Sequence, residues 1–444
     1  MATTTTTTGQ GPVAGEAAAA SLWRHRDFMR LWAAQTVSLF GSQVTTLALP
    51  LTAALTLKAT PAQMGFLGAA QFAPFLLIGL FAGVWVDRRR RRRVMIAADA
   101  GRAVLLAFIP VLALLHALRI EQVYAVAFLA GTLTLFFDVA YTSCLPSLVA
   151  RERLPEGNAK LEGSAAVAEL AGPGLGGLLA QLVSPPLALV VDAASFVFSA
   201  LSLRTIRVAE LEPAPHARDE GLWRAIGQGL RVLLGNGLTR ATVSAAATFV
   251  LFSSIGSSVY VLYLIRALHL PPALVGLVYV ASGLGSLPGA ILCGAVTRRL
   301  GAGRAIVVAV FTMSGGKLLI LAAGGPQLVA LATLMGAEAL SAFAGGIWNI
   351  NQLSLRQGLT PPHLLGRMNA SFRFIVFGMI PFGALLGGVL GAQIGLRPTL
   401  AVSVVGGLLA PLWVLFSPVR TLREQPVVAA VVTQPNEVFT ATGR

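Results

Sequence analysis

The sequence predicts an all-α polytopic membrane protein, with twelve transmembrane helices in two pseudo-symmetric six-helix bundles. Three observations support this fold class: the composition, the number of long apolar runs and an internal repeat. Of the 444 residues, 55% are hydrophobic and only 11% are charged, whereas a soluble domain carries about 25% charged residues. The 47 glycines suit helices that pack closely together within lipid.

Twelve apolar runs approach the length of about 20 residues that spans a bilayer core. They are 31–55, 62–86, 94–115, 122–147, 159–183, 186–204, 241–265, 272–297, 304–324, 327–350, 366–394 and 397–417. The turns between them alternate in charge. One set holds most of the arginines, including the run Arg88–Arg93, and the other holds only Lys58, Arg119, Arg266 and Arg397. Basic turns stay in the cytoplasm, so an even number of helices places both termini there.

The formal charge of +15 does not indicate nucleic-acid binding, because the arginines lie in short turns between apolar runs rather than on a soluble basic surface. Cys144 and Cys293 fall inside apolar runs, which argues against a disulfide framework. The five histidines are scattered without ligand-like spacing, so we expect no metal and no other cofactor. No Gly-x-x-x-x-Gly-Lys motif supports the use of ATP.

Outside the two bundles the chain turns polar. Residues 204–240 are predicted to be a cytoplasmic linker, in which Leu222, Ile226, Leu230 and Leu233 recur at helical spacing. This helix either lies on the inner membrane surface or simply joins the two halves. The complete predicted organisation is a disordered cytoplasmic tail (1–21), an N-terminal bundle (22–203), the linker (204–240), a C-terminal bundle (241–418) and a second disordered cytoplasmic tail (419–444).

An offset of 211 positions relates the two halves. It pairs the turn that begins at Gly83 with the one that begins at Gly294, and Gly65 with Gly276. Farther along it pairs Asn158-Ala159 with Asn369-Ala370, Gly172 with Gly383, and Gly176-Gly177 with Gly387-Gly388. The first and seventh helices align less well, since Gly41 and Gly256 do not share this spacing. One offset held over several helices indicates duplication of a six-helix unit.

Three features resemble the major facilitator superfamily of transporters. The first is the turn after the second helix, where Gly83, Asp87 and Arg88 match the family motif and Arg90 replaces a glycine. The second is Gly163 followed by Gly172-Pro173-Gly174-Leu175-Gly176-Gly177 on the fifth helix, similar to the family's exporter motif. Glycines there admit a neighbouring helix, and a proline bends the helix.

The third feature is Phe28-x-x-Leu31-Trp32, Asp99-x-x-Arg102 and Phe136-Phe137-Asp138 in the first half. It resembles the branch of macrolide-efflux and enterobactin-exporter-type proteins. The resemblance covers residues 22–418 and implies the major facilitator fold and a bacterial inner-membrane protein. It further implies a monomeric, proton-driven antiporter, not an enzyme, that exports a hydrophobic or amphiphilic drug, natural product or siderophore. An uptake permease of the same fold is the alternative, and the exporter motif argues against it.

In this family the first, fourth, seventh and tenth helices line the substrate cavity. By resemblance, the cavity candidates are Gln35, Gln43, Asp138, Tyr141, Glu338, Asn349 and Asn351. Glu338 is the expected proton-binding carboxylate, because it lies near the middle of its helix, where burial disfavours charge. The alternative is a purely structural pair of Glu338 with Lys317 on the ninth helix. Two departures leave the coupling chemistry open: the fourth helix lacks a buried arginine, and Ser42 replaces an acidic residue.

The 211-residue offset also inverts two charges, since Asp87 corresponds to Arg298 and Glu162 to Arg373. In the family fold the second helix lies beside the eleventh, and the fifth beside the eighth. We therefore expect two cytoplasmic locks that open when the halves rock apart: Asp87 with Arg373 or Arg367, and Glu162 with Arg298 or Arg299. The alternative is that Asp87 only neutralises its own arginine run.

Overall fold

The computed structural model describes residues 22–87, 89–149, 153–206, 222–361 and 364–424, and these ranges contain helices and no strand. The first half consists of α1 (Arg26–Leu51), α2 (Pro61–Leu77), α3 (Gly79–Asp87), α4 (Arg91–Leu114), α5 (Ile120–Leu148), α6 (Leu154–Leu182) and α7 (Pro185–Thr205). The linker helix α8 (Leu222–Gly235) follows. The second half consists of α9 (Gly237–Leu262), α10 (Pro272–Leu300), α11 (Ala302–Gly316), α12 (Leu318–Ala322), α13 (Gln327–Leu359), α14 (Leu365–Gln393), α15 (Leu396–Gly407) and α16 (Ala410–Leu415).

Eleven helical segments among the described residues are long and apolar enough to cross a membrane. The remaining predicted span, 62–86, is divided at Ile78 into α2 and α3, of 17 and 9 residues. Pro74 removes one backbone donor and Gly79 favours a break, which together explain the division. With this segment included, the helices account for the twelve predicted spans, and the predicted all-α membrane fold class is confirmed.

Glycine pairs interrupt two helices of the second half. Gly315-Gly316 precedes the break between α11 and α12, and Gly406-Gly407 precedes the break between α15 and α16. Paired glycines weaken a helix because they add backbone freedom without side-chain packing. The first of these breaks places Lys317 at a bend inside the bundle.

Helix α8 packs against α14. A Cβ atom at Gly229 would lie 2.5 Å from the backbone oxygen of Arg367, and Arg367 donates a hydrogen bond to Gln228. Buried Leu233 joins the core of the second half. The linker helix is therefore attached to the second half through its small and apolar residues.

The two predicted tails lie largely outside the described residues. The exception is 419–424, which the sequence predicts to be part of a disordered tail. A 3₁₀ helix spans Pro418–Thr421, and the backbone oxygens of Leu422 and Arg423 accept hydrogen bonds from the first turn of α11. That part of the prediction is wrong, because the free N–H groups at a helix start hold this segment in place.

The 211-residue offset is visible in the backbone. A π-helical turn ends the first segment at Thr52–Thr56, and another ends the seventh at Tyr263–Ala267. Lys58 and His269 follow in the same positions, with φ of 50° and 52°. The first and seventh segments therefore also obey the repeat. At this offset Gly256 corresponds to Thr45, not to Gly41, which explains the mismatch between the two glycines.

Candidate functional site

The glycines of the exporter-type motif place α6 between the two halves. A Cβ atom at Gly172 would lie 2.3 Å from Cβ of Gln43, and one at Gly176 would lie 3.1 Å from Cα of Val44, both on α1. A Cβ atom at Gly177 would lie 2.4 Å from the backbone oxygen of Pro272 on α10. Pro173 is buried inside α6, whereas a Cβ atom at Gly163 would meet nothing within 4 Å. Four members of the motif, but not Gly163, thus belong to close helix packing.

The other half repeats this contact. A Cβ atom at Gly388 on α14 would lie 2.8 Å from Cα of Gly65 on α2, and one at Gly276 would lie 3.1 Å from Cα of Gly177. We call the contact of Gly177 with Gly276 and the contact of Gly65 with Gly388 the two glycine seams. They correspond to each other at the 211-residue offset. Arg266 reinforces them by donating to the backbone oxygen of Ala59 over 2.8 Å. The halves are therefore in contact at the end where α1 and α9 finish.

The opposite end, here called the basic end, carries Arg89–Arg93, Arg298–Arg304 and Arg420–Arg423. Glu162, Arg298, Arg299 and Arg373 are all exposed there. None of the four ion pairs found among the described residues joins the two halves. Gly83 lies in α3, while Arg88 and the side chain of Asp87 fall outside the description. The two charge locks remain predictions.

Glu338 and Lys317 form an ion pair within the second half. The Nζ atom of Lys317 lies 2.8 Å from Oε1 and 2.7 Å from Oε2 of Glu338. The side chains are 25% and 11% exposed, respectively. Lys317 reaches the carboxylate from the bend between α11 and α12, and Glu338 comes from the middle of α13. A charged pair this deep in a membrane segment is costly unless it is matched.

A cavity of about 230 Å³ adjoins this pair and is lined by α9, α10, α11, α12, α13 and α15. Its lining includes two buried hydroxyls, those of Tyr260 and Ser314, that have no hydrogen-bond partner among the described groups. The Tyr260 side chain lies beside Glu338. Unsatisfied buried hydroxyls beside a cavity can be satisfied by water or by a polar ligand. The cavity therefore offers two hydroxyl groups that can form hydrogen bonds with a molecule that enters it.

The remaining cavity candidates are dispersed. Asn351 is buried between α10 and α13, where Thr297 donates to it over 3.1 Å, and Gln43 packs against Gly172. Asn349 is exposed and accepts from Gln352. Asp138 and Tyr141 are half-buried one turn apart on α5. The structure thus brings Glu338 and Lys317 together, but it does not gather the other candidates around them.

A second polar cluster, in the first half, was not assigned a role from the sequence. Asp99 and Arg102 pair on α4 at 0% and 5% side-chain exposure, and Ser199 donates to Asp99 over 2.6 Å. The Arg102 guanidinium lies between the rings of Phe137 and Phe196, at 4.5 and 4.0 Å from their centroids. The sequence feature that could have identified this pair is the three-residue spacing of an acid and a base inside an apolar run.

Asp192 forms a neighbouring network, with Thr45 donating to one carboxylate oxygen over 2.5 Å and Ser195 to the other over 3.0 Å. Asp192, Thr45 and Arg102 line a cavity of about 240 Å³ in the first half. This cavity is the image of the one beside Glu338, because eight lining positions correspond at the 211-residue offset. Among them, Asp192 corresponds to Ser403, and Ala127 to Glu338.

The family model of the Major Facilitator Superfamily matches residues 31–380 and 242–440. The chain belongs to this superfamily. It is 29% identical to the multidrug efflux pump Tap of Mycolicibacterium fortuitum, over 74% of this chain and 81% of that protein. It is 23% identical to macrolide efflux protein A of Streptococcus pyogenes, over 83% and 90%. The resemblance stated from the sequence is confirmed.

The fold also matches solved structures of transporters. A bacterial homologue of the iron transporter ferroportin, in an inward-facing state, superposes with a TM-score of 0.72 and 18% identity over 89% of this chain and 99% of that one. Its membership of the superfamily and its eleven membrane-length helical segments among the described residues make the chain a multi-span membrane transporter and not an enzyme. Among the described residues, no group of histidine, cysteine or acidic side chains could hold a metal ion.

Proposed function

We propose that this transporter exports a hydrophobic or amphiphilic small molecule in exchange for protons. The direction of transport is inferred from the glycine seam of α6, which carries the exporter-type motif, and from the similarity to Tap and macrolide efflux protein A. Small residues at a seam allow two helices to approach and to rock against each other. The chain alone supplies both halves, so a monomer is sufficient for alternating access.

The single observation that carries the coupling proposal is the Glu338–Lys317 pair beside a cavity with unpartnered hydroxyls. Both oxygens of Glu338 accept hydrogen bonds from one ammonium group. Protonation of the carboxylate removes its charge and weakens this pair, which frees Lys317 and changes the packing at the bend of α11. A bistable pair of half-bundles needs only a few kcal/mol of such bias to change state.

In this proposal the basic end is cytoplasmic, in the inner membrane of a bacterium, and both termini lie on that side. Contacts between the halves at the other end then correspond to an inward-open arrangement, with the closed seams facing outwards. A cysteine-accessibility test at Arg119→Cys and Arg204→Cys in intact cells checks this orientation. We expect an impermeant maleimide to label only position 119. Labelling of position 204 alone would reverse the assignment.

The function is tested by a panel of drugs and siderophores in an efflux-deficient bacterium that expresses the chain, with and without a protonophore. We expect resistance to at least one amphiphilic compound, and we expect the protonophore to remove it. Increased sensitivity to a compound would instead support the uptake permease. The same compound is then followed in everted vesicles for the wild type, Glu338→Gln and the matched control Glu121→Gln.

Glu121 is an exposed acid at the start of α5, so its replacement removes a charge without touching either cavity. We expect Glu338→Gln to abolish proton-driven efflux while the expression level is unchanged, and Glu121→Gln to transport normally. Undiminished transport by Glu338→Gln would exclude Glu338 as the coupling residue.

A further inference from the structure

A groove of about 1410 Å³ opens at the basic end of the second half, between the end of α10, the start of α11, the later part of α13 and the segment after α16. Five arginines and one acid, Glu424, line it: Arg298, Arg299, Arg304, Arg420 and Arg423. All five arginines are exposed, and none takes part in an ion pair among the described residues. With five arginines and one acid, the described lining of the groove is strongly positive.

Backbone contacts hold the arginines of two chain segments together. The N–H groups of Ala302 and Gly303 donate to the backbone oxygens of Arg423 and Leu422 over 3.1 and 2.9 Å. A Cβ atom at Gly303 would lie 1.9 Å from the backbone oxygen of Val419, so glycine is required for this approach. The position of Arg420 and Arg423 beside Arg304 is therefore built into the fold rather than left to a free tail.

The groove is apolar on the side that continues along the helices. Leu300 and Val308 belong to its lining and are 42% and 50% exposed. Val308 follows Arg304 by four residues, which places it about 6 Å farther along α11. On a membrane helix, an exposed apolar residue at this depth adjoins acyl chains. Charge at the rim and apolar surface below it match an amphipathic ligand.

We propose that this groove binds an anionic glycerophospholipid, whose phosphate contacts Arg304, Arg420 and Arg423 and whose acyl chains lie against Leu300 and Val308. Clusters of basic residues next to membrane helices attract anionic headgroups. A free phosphate ion would use the arginines but not the apolar wall, so the wall favours a lipid. The groove and the cavity beside Glu338 share no lining residue, so the lipid proposal does not depend on the coupling proposal, although Asn351, a cavity candidate from the sequence, also lines the groove.

The proposal is tested on the purified full-length chain in a neutral detergent, titrated with dioctanoyl phosphatidylglycerol and with dioctanoyl phosphatidylcholine, with bound lipid counted by native mass spectrometry. Inorganic phosphate and glycerol phosphate serve as competitors. The variant Arg420→Gln/Arg423→Gln is compared with Arg204→Gln/Arg240→Gln, which removes two exposed arginines from the same end but outside the groove. Thermal unfolding of each variant checks that the fold is intact.

We expect the wild type to prefer phosphatidylglycerol, and the groove variant to bind it about 25-fold more weakly, or about fivefold for each arginine. The control variant should bind it as the wild type does. Equal losses in both variants would show nonspecific charge attraction and overturn the proposal. Displacement of the lipid by equimolar phosphate, or equal affinity for both lipids, would also overturn it. If the double variant unfolds, Arg304→Gln alone must show the fivefold loss.

Discussion

The two halves have the same backbone fold, and each contains a corresponding cavity. They differ in how the buried charged side chains are hydrogen-bonded. In the first half every carboxylate oxygen of Asp99 and Asp192 accepts a hydrogen bond, from Arg102, Ser199, Thr45 or Ser195. In the second half both oxygens of Glu338 accept from Lys317, their single hydrogen-bond donor among the described residues. A carboxylate with several donors on different helices is a fixed structural element, whereas one with a single partner can be switched by a proton.

The positions of the charges reinforce this difference. At the 211-residue offset, Asp99 corresponds to Val310 and Arg102 to Met313, while Glu338 corresponds to Ala127 and Lys317 to Leu106. Neither polar cluster is therefore an image of the other. Duplication kept the helix packing, since the glycine seams and π-helical turns coincide, but the charges are placed independently in each half. We expect stability to depend on the first cluster and transport on the second.

The largest expected effect is on stability in the first half. Asp99→Ala leaves the Arg102 guanidinium buried without its carboxylate, and breaking a buried pair in this way costs about 3–5 kcal/mol. We expect a large fall in the thermal unfolding temperature of the purified protein, or loss of folded protein. Glu338→Ala should lower it by less than half as much, because Lys317 is 25% exposed and can be hydrated. Equal destabilisation by the two variants would remove the distinction between the halves.

The second effect separates coupling from structural pairing at Glu338. Lys317→Gln leaves a buried carboxylate without a partner, and we expect the initial rate of proton-driven transport to fall at least about tenfold, equivalent to about 1.4 kcal/mol in activation free energy. The informative variant is Lys317→Gln/Glu338→Gln, which removes both charges and leaves no unpaired ion.

If the pair is only structural, the double variant should regain most of the transport lost in each single variant, because a neutral pair of similar volume is tolerated. If Glu338 carries the coupling proton, the double variant should fold well and still fail to concentrate substrate against its gradient. Restored uphill transport would contradict the coupling proposal. Downhill exchange of substrate, measured in the same vesicles without a proton gradient, serves as the control for folding.

The third effect concerns the paired glycine seams. Gly177→Ala introduces a Cβ atom 2.4 Å from the Pro272 oxygen, and Gly65→Ala introduces one 2.5 Å from the Ala384 oxygen. Overpacking of this kind costs about 1–3 kcal/mol, here only in the state where the seams are closed. We expect both variants to transport several-fold more slowly in everted vesicles, and Gly163→Ala, which meets nothing within 4 Å, to be unaffected. A slowed Gly163→Ala would show that helix flexibility, not seam contact, is the cause.

The sequence predicted the architecture because its signals are local or periodic. Apolar run length, alternating charge and the 211-residue offset each depend on residue types alone. The helices, the repeat and the superfamily could therefore be predicted from the sequence. The lining of the cavity could not be predicted, because it depends on which helix faces meet. Asn351 and Gln43 lie on helices that line cavities in this family, but they turn towards α10 and α6. The Asp99–Arg102 pair was visible as a spacing, but its burial between two rings was not.

The smallest effect is expected at the basic end, where both halves contribute exposed charges. Exposed pairs contribute about 1 kcal/mol or less, so Asp87→Arg or Arg373→Asp alone should change transport only a few-fold by unbalancing the two states. If Asp87 and Arg373 form a lock in the alternate state, the combined variant Asp87→Arg/Arg373→Asp restores the pair with opposite polarity and should transport better than either single variant. Transport no better than in the single variants would leave Asp87 as a neutralising partner of its own arginine run. Asp87→Arg/Arg119→Asp, which reverses the same charges with the exposed arginine at the opposite end of the molecule, is the matched control, and any recovery there would trace to net charge rather than to a lock.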